Sequence, residues 1–302
     1  MGLLLLLVPI TITNFGTVKN NFLRLMSVIW LIINLLYTKY PTLTQDPIVN
    51  AFGKSHLPFS LLFLIFTFIV VKCWGFKFCF NLKLCKKQFI PLIFVLLLSI
   101  WFAFFEVFLS LAQNMPELLW HWQFSLINPA MSATFSSITQ VYFTAAEAGI
   151  LEESARYIFI LICLITFKGA NKRLLLSILI SSLIFALIHY FNYFGQKGTL
   201  SIATAHVIST FGIGWLLATI FLYSGKLWLS ILLHAFIDFI FFSVTPLGMT
   251  DSALIITLDP SGYLRAFILA LLPIIISLFL LCTKHRKMML INADIIATIS
   301  QS

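Results

Sequence analysis

The stretch Gly149-Ile150-Leu151-Glu152-Glu153-Ser154-Ala155-Arg156-Tyr157 places two carboxylates and a guanidinium inside an apolar run from Val141 to Phe167. A run of that length without period-2 alternation is long enough to cross a bilayer as a helix. A charge near the bilayer centre costs about 3 kcal/mol or more, so such side chains face a protein interior or a water-filled cavity and find partners there. The three charges therefore predict a bundle around this helix and a site within it.

Outward from this run, the rest of the chain has the same character. Of its 302 residues, 61% are hydrophobic and 10% charged, and the mean hydropathy of +1.04 lies beyond that of soluble globular proteins. Hydrocarbon offers backbone groups no water, so apolar runs of about 20 residues without alternation select helices over a barrel. The expected fold is all-α, a polytopic transmembrane bundle of eight or nine spans. Residues 1–302 read as a single integral membrane domain, with a catalytic four-helix core over residues 141–246. Spans are expected at Phe22 to Tyr37, Leu57 to Val71, Phe89 to Leu111, Val141 to Phe167, Leu174 to Phe194, Thr199 to Tyr223, Leu227 to Pro246 and Leu264 to Cys282. Gly2 to Thr13 reads either as a signal-like apolar segment or as an imperfect first helix.

The net charge of +9 does not point to nucleic acid, because the basic residues are spread over short loops. Alternating the loops puts 14 basic residues on one side and Lys39, Lys54, Lys197 and Arg265 on the other, which under the positive-inside rule predicts a cytoplasmic C-terminus. Asn114 to Gln140 lacks Lys and Arg and carries Trp120, Trp122 and Phe124, the composition of a segment lying in the interface. The five cysteines are odd in number and lack CxxC spacing, which indicates neither a disulfide framework nor a cysteine zinc site. Cys73, Cys79 and Cys85 recur among lysines in a pattern that fits a reduced, acylated loop.

Glu152 and Arg156 stand four apart on one helix face, the spacing of an intrahelical ion pair, while Glu153 is turned about 100° from Glu152. One arginine neutralises one carboxylate, leaving the other to be protonated, to bind metal or to act as a base. His189 closes Phe185-Ala-Leu-Ile-His189, and His234 opens His234-Ala-Phe-Ile-Asp238, which puts imidazole and carboxylate on one face. Counted along the helices, these groups reach depths of about 8–18 Å, compatible with one cavity. Glu152, His189 and His234 form a donor set suited to zinc with an open position for water. The same residues also suit a metal-independent reaction, with Glu152 as base to a water held by His189, and with His234 and Asp238 at the oxyanion. His206 is open between a further nitrogen ligand, a group supporting the ligands and a helix contact. Glu147, about 140° from Glu152, is read as facing another part of the bundle or the outer interface, and Glu106, near the outer end of its helix, as reaching water.

These residues resemble the CPBP intramembrane protease family, which includes the type II CAAX prenyl endopeptidases and bacteriocin-processing or immunity-type proteins. That family's pattern is a double glutamate followed by arginine, then FxxxH, then HxxxN or HxxxD, on separate helices. Glu152-Glu153 with Arg156, Phe185 to His189 and His234 to Asp238 occur in that order, and the likeness covers Ala146 to Phe242. The arginine comes one residue early, as EExxR, which is closer to the EExxK of the related PrsW-type proteases. The resemblance implies Glu152 as the water-activating base, His189 and His234 as metal ligands or as water and oxyanion partners, Asp238 beside them, and Glu153 and Arg156 in support. It implies a peptide or protein substrate, prenylated or membrane-anchored, met in the lipid bilayer. A non-catalytic immunity or scaffold protein and an ion transporter are the alternatives, since buried Glu, His and Asp also serve relays.

Overall fold

The computed structural model describes residues 2–38, 44–84, 86–192, 200–246 and 262–298. Lys39, Cys85, Lys197 and the expected span end at Phe194 lie outside them. The described residues are helical apart from turns, loops and one isolated antiparallel bridge between Ile127 and Val244. The helices are α1 (Gly2–Thr11), α2 (Asn21–Leu36), α3 (Pro47–Lys54), α4 (Leu57–Cys73), α5 (Lys86–Phe108) and α6 (Met115–Leu119). They continue as α7 (Ile138–Thr166), α8 (Arg173–Ile188), α9 (Leu200–Ser224), α10 (Leu227–Phe242), α11 (Tyr263–Leu281) and α12 (Thr283–Ala297).

The chain is an integral membrane protein, and among the described residues four helices are long and apolar enough to cross a bilayer: α5, α8 with its following turn, α9 and α11. The pair α3 and α4, bent by 50° at the break between them, makes a fifth if it is one span. The expected eight or nine spans are not confirmed, for two physical reasons. At 16 residues each, α2 and α10 fall short of the hydrocarbon thickness. Although 29 residues long, α7 carries at least three charged side chains in any 18-residue stretch. Gly2 to Thr13 forms α1, which runs into a single π-turn and docks on α4, with Gly16 against Cys73.

Helix α7 is the hub. From Ala155 to Leu164 every residue is buried, as expected of a helix apolar on all faces and enclosed by others. It packs on α10, α4, α8, α2 and α3. Its approach to α10 is close at Gly149, where an added Cβ would stand 2.6 Å from the Ile231 carbonyl oxygen. Gly212 does the same for α9 and α11, where a Cβ would collide with the Ala270 backbone. Small residues let helix backbones approach in this way.

Two connecting segments close the ends of the bundle. The expected interfacial segment holds α6 and two short 3-10 turns. It is strapped to the end of α10, with the Asn128 N–H donating to the Ser243 carbonyl at 2.7 Å and the Thr245 N–H to that of Leu126 at 2.9 Å. Trp120 and Phe124 are exposed, while Trp122 stacks on Phe104 with ring centroids 4.7 Å apart. At the opposite end, the loop after α4 tucks beneath α7 and α10, with the Tyr157 hydroxyl donating to the Lys77 carbonyl at 2.6 Å. This loop buries Cys79, and burial pushes its thiol above the ordinary value. Acylation of Cys79 is therefore corrected, because its sulfur is not presented to a reagent. Cys73 is exposed.

Candidate functional site

A cavity of about 660 Å³ opens among α5, α7, α8, α9, α10 and α11. Glu152, His189, His206, His234 and Asp238 all line it. Phe185, beginning the motif that His189 ends, lines it as well and stands edge-on to both His189 and His234.

The two adjacent glutamates have different surroundings. Glu153 is buried, forms the ion pair with Arg156, and accepts a hydrogen bond from His234 Nδ1 at 2.7 Å. Glu152 has a side chain 27% accessible and faces the cavity, with its Oε2 3.8 Å from His189 Nε2 and 3.5 Å from His234 Nε2. The expected i,i+4 partnership of Glu152 with Arg156 is thus corrected to an i,i+3 pair between Glu153 and Arg156. Arg156 is buried, its guanidinium lies 3.8 Å over the Phe185 ring, and its Nε and one terminal nitrogen have no hydrogen-bond partner. A buried cation on an aromatic face recovers part of its lost hydration.

The hydrogen bonds also fix the histidine tautomers. A carbonyl only accepts, so His189 Nδ1, 3.0 Å from the Phe185 carbonyl oxygen, carries the proton and donates. A carboxylate paired with arginine likewise only accepts, so His234 Nδ1–H donates to Glu153. Both Nε2 atoms are then turned toward Glu152. Gaps of 3.5 and 3.8 Å are too long for direct hydrogen bonds and suit a bridging water. Asp238 Oδ2 is 3.7 Å from His234 Nε2, and the His206 ring centroid is 5.2 Å from that of His189.

Such a donor set, with each Nδ1–H engaged by an acceptor behind it, is chemically suited to zinc. Its geometry does not match: among the described residues no group of three His, Cys, Asp or Glu side chains could hold a metal ion.

Three further charged groups line the same cavity: Glu106 on α5, Glu147 on α7 and Arg265 on α11. Glu147 was expected to face another part of the bundle or the outer interface, Glu106 to reach water near the outer end of its helix, and Arg265 to lie on the outer side. A cavity of this width is bounded by more than one face of α7, so a rotation of about 140° from Glu152 does not take Glu147 out of it. The available sequence signal was their position within apolar helices, where a charge requires a cavity or a partner.

These features define a polytopic helical membrane protein with a buried glutamate–histidine centre in its own cavity. Residues 134–240, from the approach to α7 through most of α10, match the family model of the Type II CAAX prenyl endopeptidase Rce1-like proteins. The match covers about a third of the chain and includes the double glutamate, FxxxH and HxxxD segments. No curated protein and no solved structure matches the chain.

Proposed function

We propose that the chain is an intramembrane endopeptidase in which Glu152 activates the hydrolytic water. The observation that carries this reading is the convergence of both histidine Nε2 atoms on Glu152 Oε2, at 3.8 and 3.5 Å, within the family-matched region. A water between them donates to Glu152 and to one imidazole nitrogen. Glu152 takes its proton as the oxygen adds to the scissile carbonyl carbon. His234, protonated at Nε2 and held through Nδ1 by Glu153, donates to the developing oxyanion beside Asp238. Glu152 then passes its proton to the leaving nitrogen, the C–N bond breaks, and a carboxylate and an amine result. Arg156 neutralises Glu153, leaving the second carboxylate available as base.

The substrate class is a membrane-anchored peptide or protein, with a prenylated C-terminal tail the form suggested by the description of the matched family. In the variant mechanism Glu152, His189 and His234 would hold zinc, for which they would have to move from their present arrangement. Metal analysis of purified protein with and without His189→Ala and His234→Ala separates the two. The positive-inside distribution supports a cytoplasmic C-terminus.

General-base catalysis contributes about 10²–10⁴ in rate, so Glu152→Gln lowers turnover by at least about 100-fold. Membrane fractions from cells with and without this change are compared for an accumulating uncleaved protein. Normal processing in a well-folded Glu152→Gln protein refutes proteolysis and favours the non-catalytic reading.

A further inference from the structure

The hydrolytic reading makes no use of the loop between α4 and α5. Hydrogen bonds fasten it to both helices that carry the site. From α7, the Tyr157 hydroxyl donates to the Lys77 carbonyl at 2.6 Å. From α10, the Leu227 N–H donates to the Cys79 carbonyl at 3.2 Å and the Trp228 indole N–H to that of Asn81 at 3.3 Å. The Phe78 ring packs edge-on against Tyr157 at 5.4 Å, and Phe80 in turn stacks on Phe78 at 6.0 Å. The Asn81 side chain accepts from the Lys83 N–H at 2.8 Å and shapes the turn that follows. Although its backbone is fixed in this way, the loop leaves Phe80, Leu82 and Lys83 exposed, Leu82 at 69%.

The exposed surface continues into the first turns of α5. Lys86, Lys87, Phe89 and Ile90 are all exposed, Ile90 at 79%, and Phe94 and Leu97 extend the apolar stripe at helical spacing. From Ile90 to Phe108 the helix covers about 28 Å, close to the hydrocarbon thickness of about 30 Å. Lys86 and Lys87 precede Ile90 by about 4.5–6 Å of helix, which sets them at the level of the lipid phosphates. No acidic residue occurs between Asp46 and Glu106, and Asp294, on the same end of the bundle, is taken by Arg173 at 2.6 Å. Apolar side chains at the membrane boundary, beside lysines that no carboxylate of their own segment neutralises, complement a molecule with acyl chains and a negative headgroup.

We propose that Phe80, Leu82 and Lys83, together with Lys86 and Lys87, form a binding surface for an anionic phospholipid of the leaflet at that end. Phe80 and Leu82 lie against its acyl chains, and the three ammonium groups donate to its phosphate. Because the loop is bonded to α7 and α10, a bound lipid steadies the ends of both helices. The positive-inside rule asks only for charge, and Lys168, Lys172 and Lys284 on the same end meet it equally. The loop differs from them in presenting apolar side chains and lysines together on a fixed backbone. This inference stands whether or not the protein hydrolyses peptides.

In the test, purified full-length protein in a nonionic detergent is titrated with dioleoylphosphatidylglycerol or dioleoylphosphatidylcholine, and bound lipid is counted by native mass spectrometry. The expected result is phosphatidylglycerol binding at least about 5-fold tighter, since one lysine at an anionic surface already contributes roughly that factor. Combining Lys83→Gln, Lys86→Gln and Lys87→Gln should bring phosphatidylglycerol to the affinity of phosphatidylcholine. Combining Lys168→Gln, Lys172→Gln and Lys284→Gln removes the same charge and should leave the preference intact. Phe80→Ala with Leu82→Ala should weaken both lipids alike and keep their ratio. Lys83→Gln alone leaves α5 untouched and should lose part of the preference, which maintains the test if the loop triple variant does not fold. Equal binding of the two lipids, no binding of either, a preference that survives the loop triple, or the same loss in both triples overturns the proposal. Full displacement of the lipid by inorganic phosphate or polyglutamate at matched charge also overturns it, by making the surface a site for a soluble anion.

Discussion

Two neighbouring side chains of the same type, Glu152 and Glu153, illustrate how burial separates a carboxylate open to a cavity from one held in an ion pair. Glu153 has a side chain 2% accessible and is shared by Arg156 and His234. Removing it leaves Arg156, 1% accessible, as an uncompensated charge that already lacks partners for two of its nitrogens. Breaking a buried pair from one side costs about 3–5 kcal/mol. Glu153→Ala should therefore lower stability by that order in detergent unfolding, whereas Glu152→Gln, whose carboxylate faces the cavity, should leave stability within about 0.5 kcal/mol of wild type. Equal losses in the two variants would contradict the division of roles. The sequence placed both glutamates and the arginine together, and it separated one carboxylate from the other by their 100° rotation. It did not reveal which one the arginine chooses. The i,i+3 and i,i+4 spacings are both within reach on an isolated helix, and the choice depends on Phe185 and His234, which come from other helices.

At the scale of elements, the site depends on how closely α7 and α10 approach. Gly149 and Glu153 are four apart on one face of α7, and the backbone that Gly149 touches, Ile231 to Ala235 of α10, is the turn that carries His234. A methyl group at Gly149 would meet a backbone oxygen at 2.6 Å, which no side-chain rotation relieves. Gly149→Ala should displace α10, cost about 1–3 kcal/mol and reduce turnover per folded molecule. Gly212→Ala provides the comparison, since its clash with the Ala270 backbone separates α9 from α11 and leaves the Glu153–His234 contact alone. It should lower stability with a smaller loss of turnover, as read from unfolding and peptide cleavage on the same preparations. Gly169, with nothing within 4 Å of an added Cβ, should tolerate alanine. Helix positions were legible in the sequence because long apolar runs have few other solutions. Helix contacts were not, because nearly every face is apolar: a glycine that permits close approach reads like any other small residue.

For the whole molecule, the distribution of basic residues predicts which end faces the cytoplasm, and the cysteines test it. Cys73 ends α4 and Cys282 follows α11, and both are exposed. Both lie toward the lysine-rich end of the bundle, with Lys72 beside the first and Lys284, Arg286 and Lys287 just beyond the second. Cys79 and Cys163 are buried. Burial also raises the Cys79 thiol from its ordinary 9.0, so at pH 8 it forms even less thiolate than a free cysteine. A membrane-impermeant maleimide at that pH should label Cys73 and Cys282 together in inverted vesicles and neither in intact cells, with Cys79 silent in both until the protein is unfolded. Single-cysteine variants read by mass shift assign each site. Labelling of Cys73 and Cys282 from opposite sides would mean that an odd number of crossings separates α4 from the end of α11. Labelling of both only from outside would invert the orientation read from the basic residues. The cavity lies toward the end where α5, α8 and α10 finish and α7, α9 and α11 begin. The same experiment therefore decides from which side of the membrane the proposed substrate would reach Glu152.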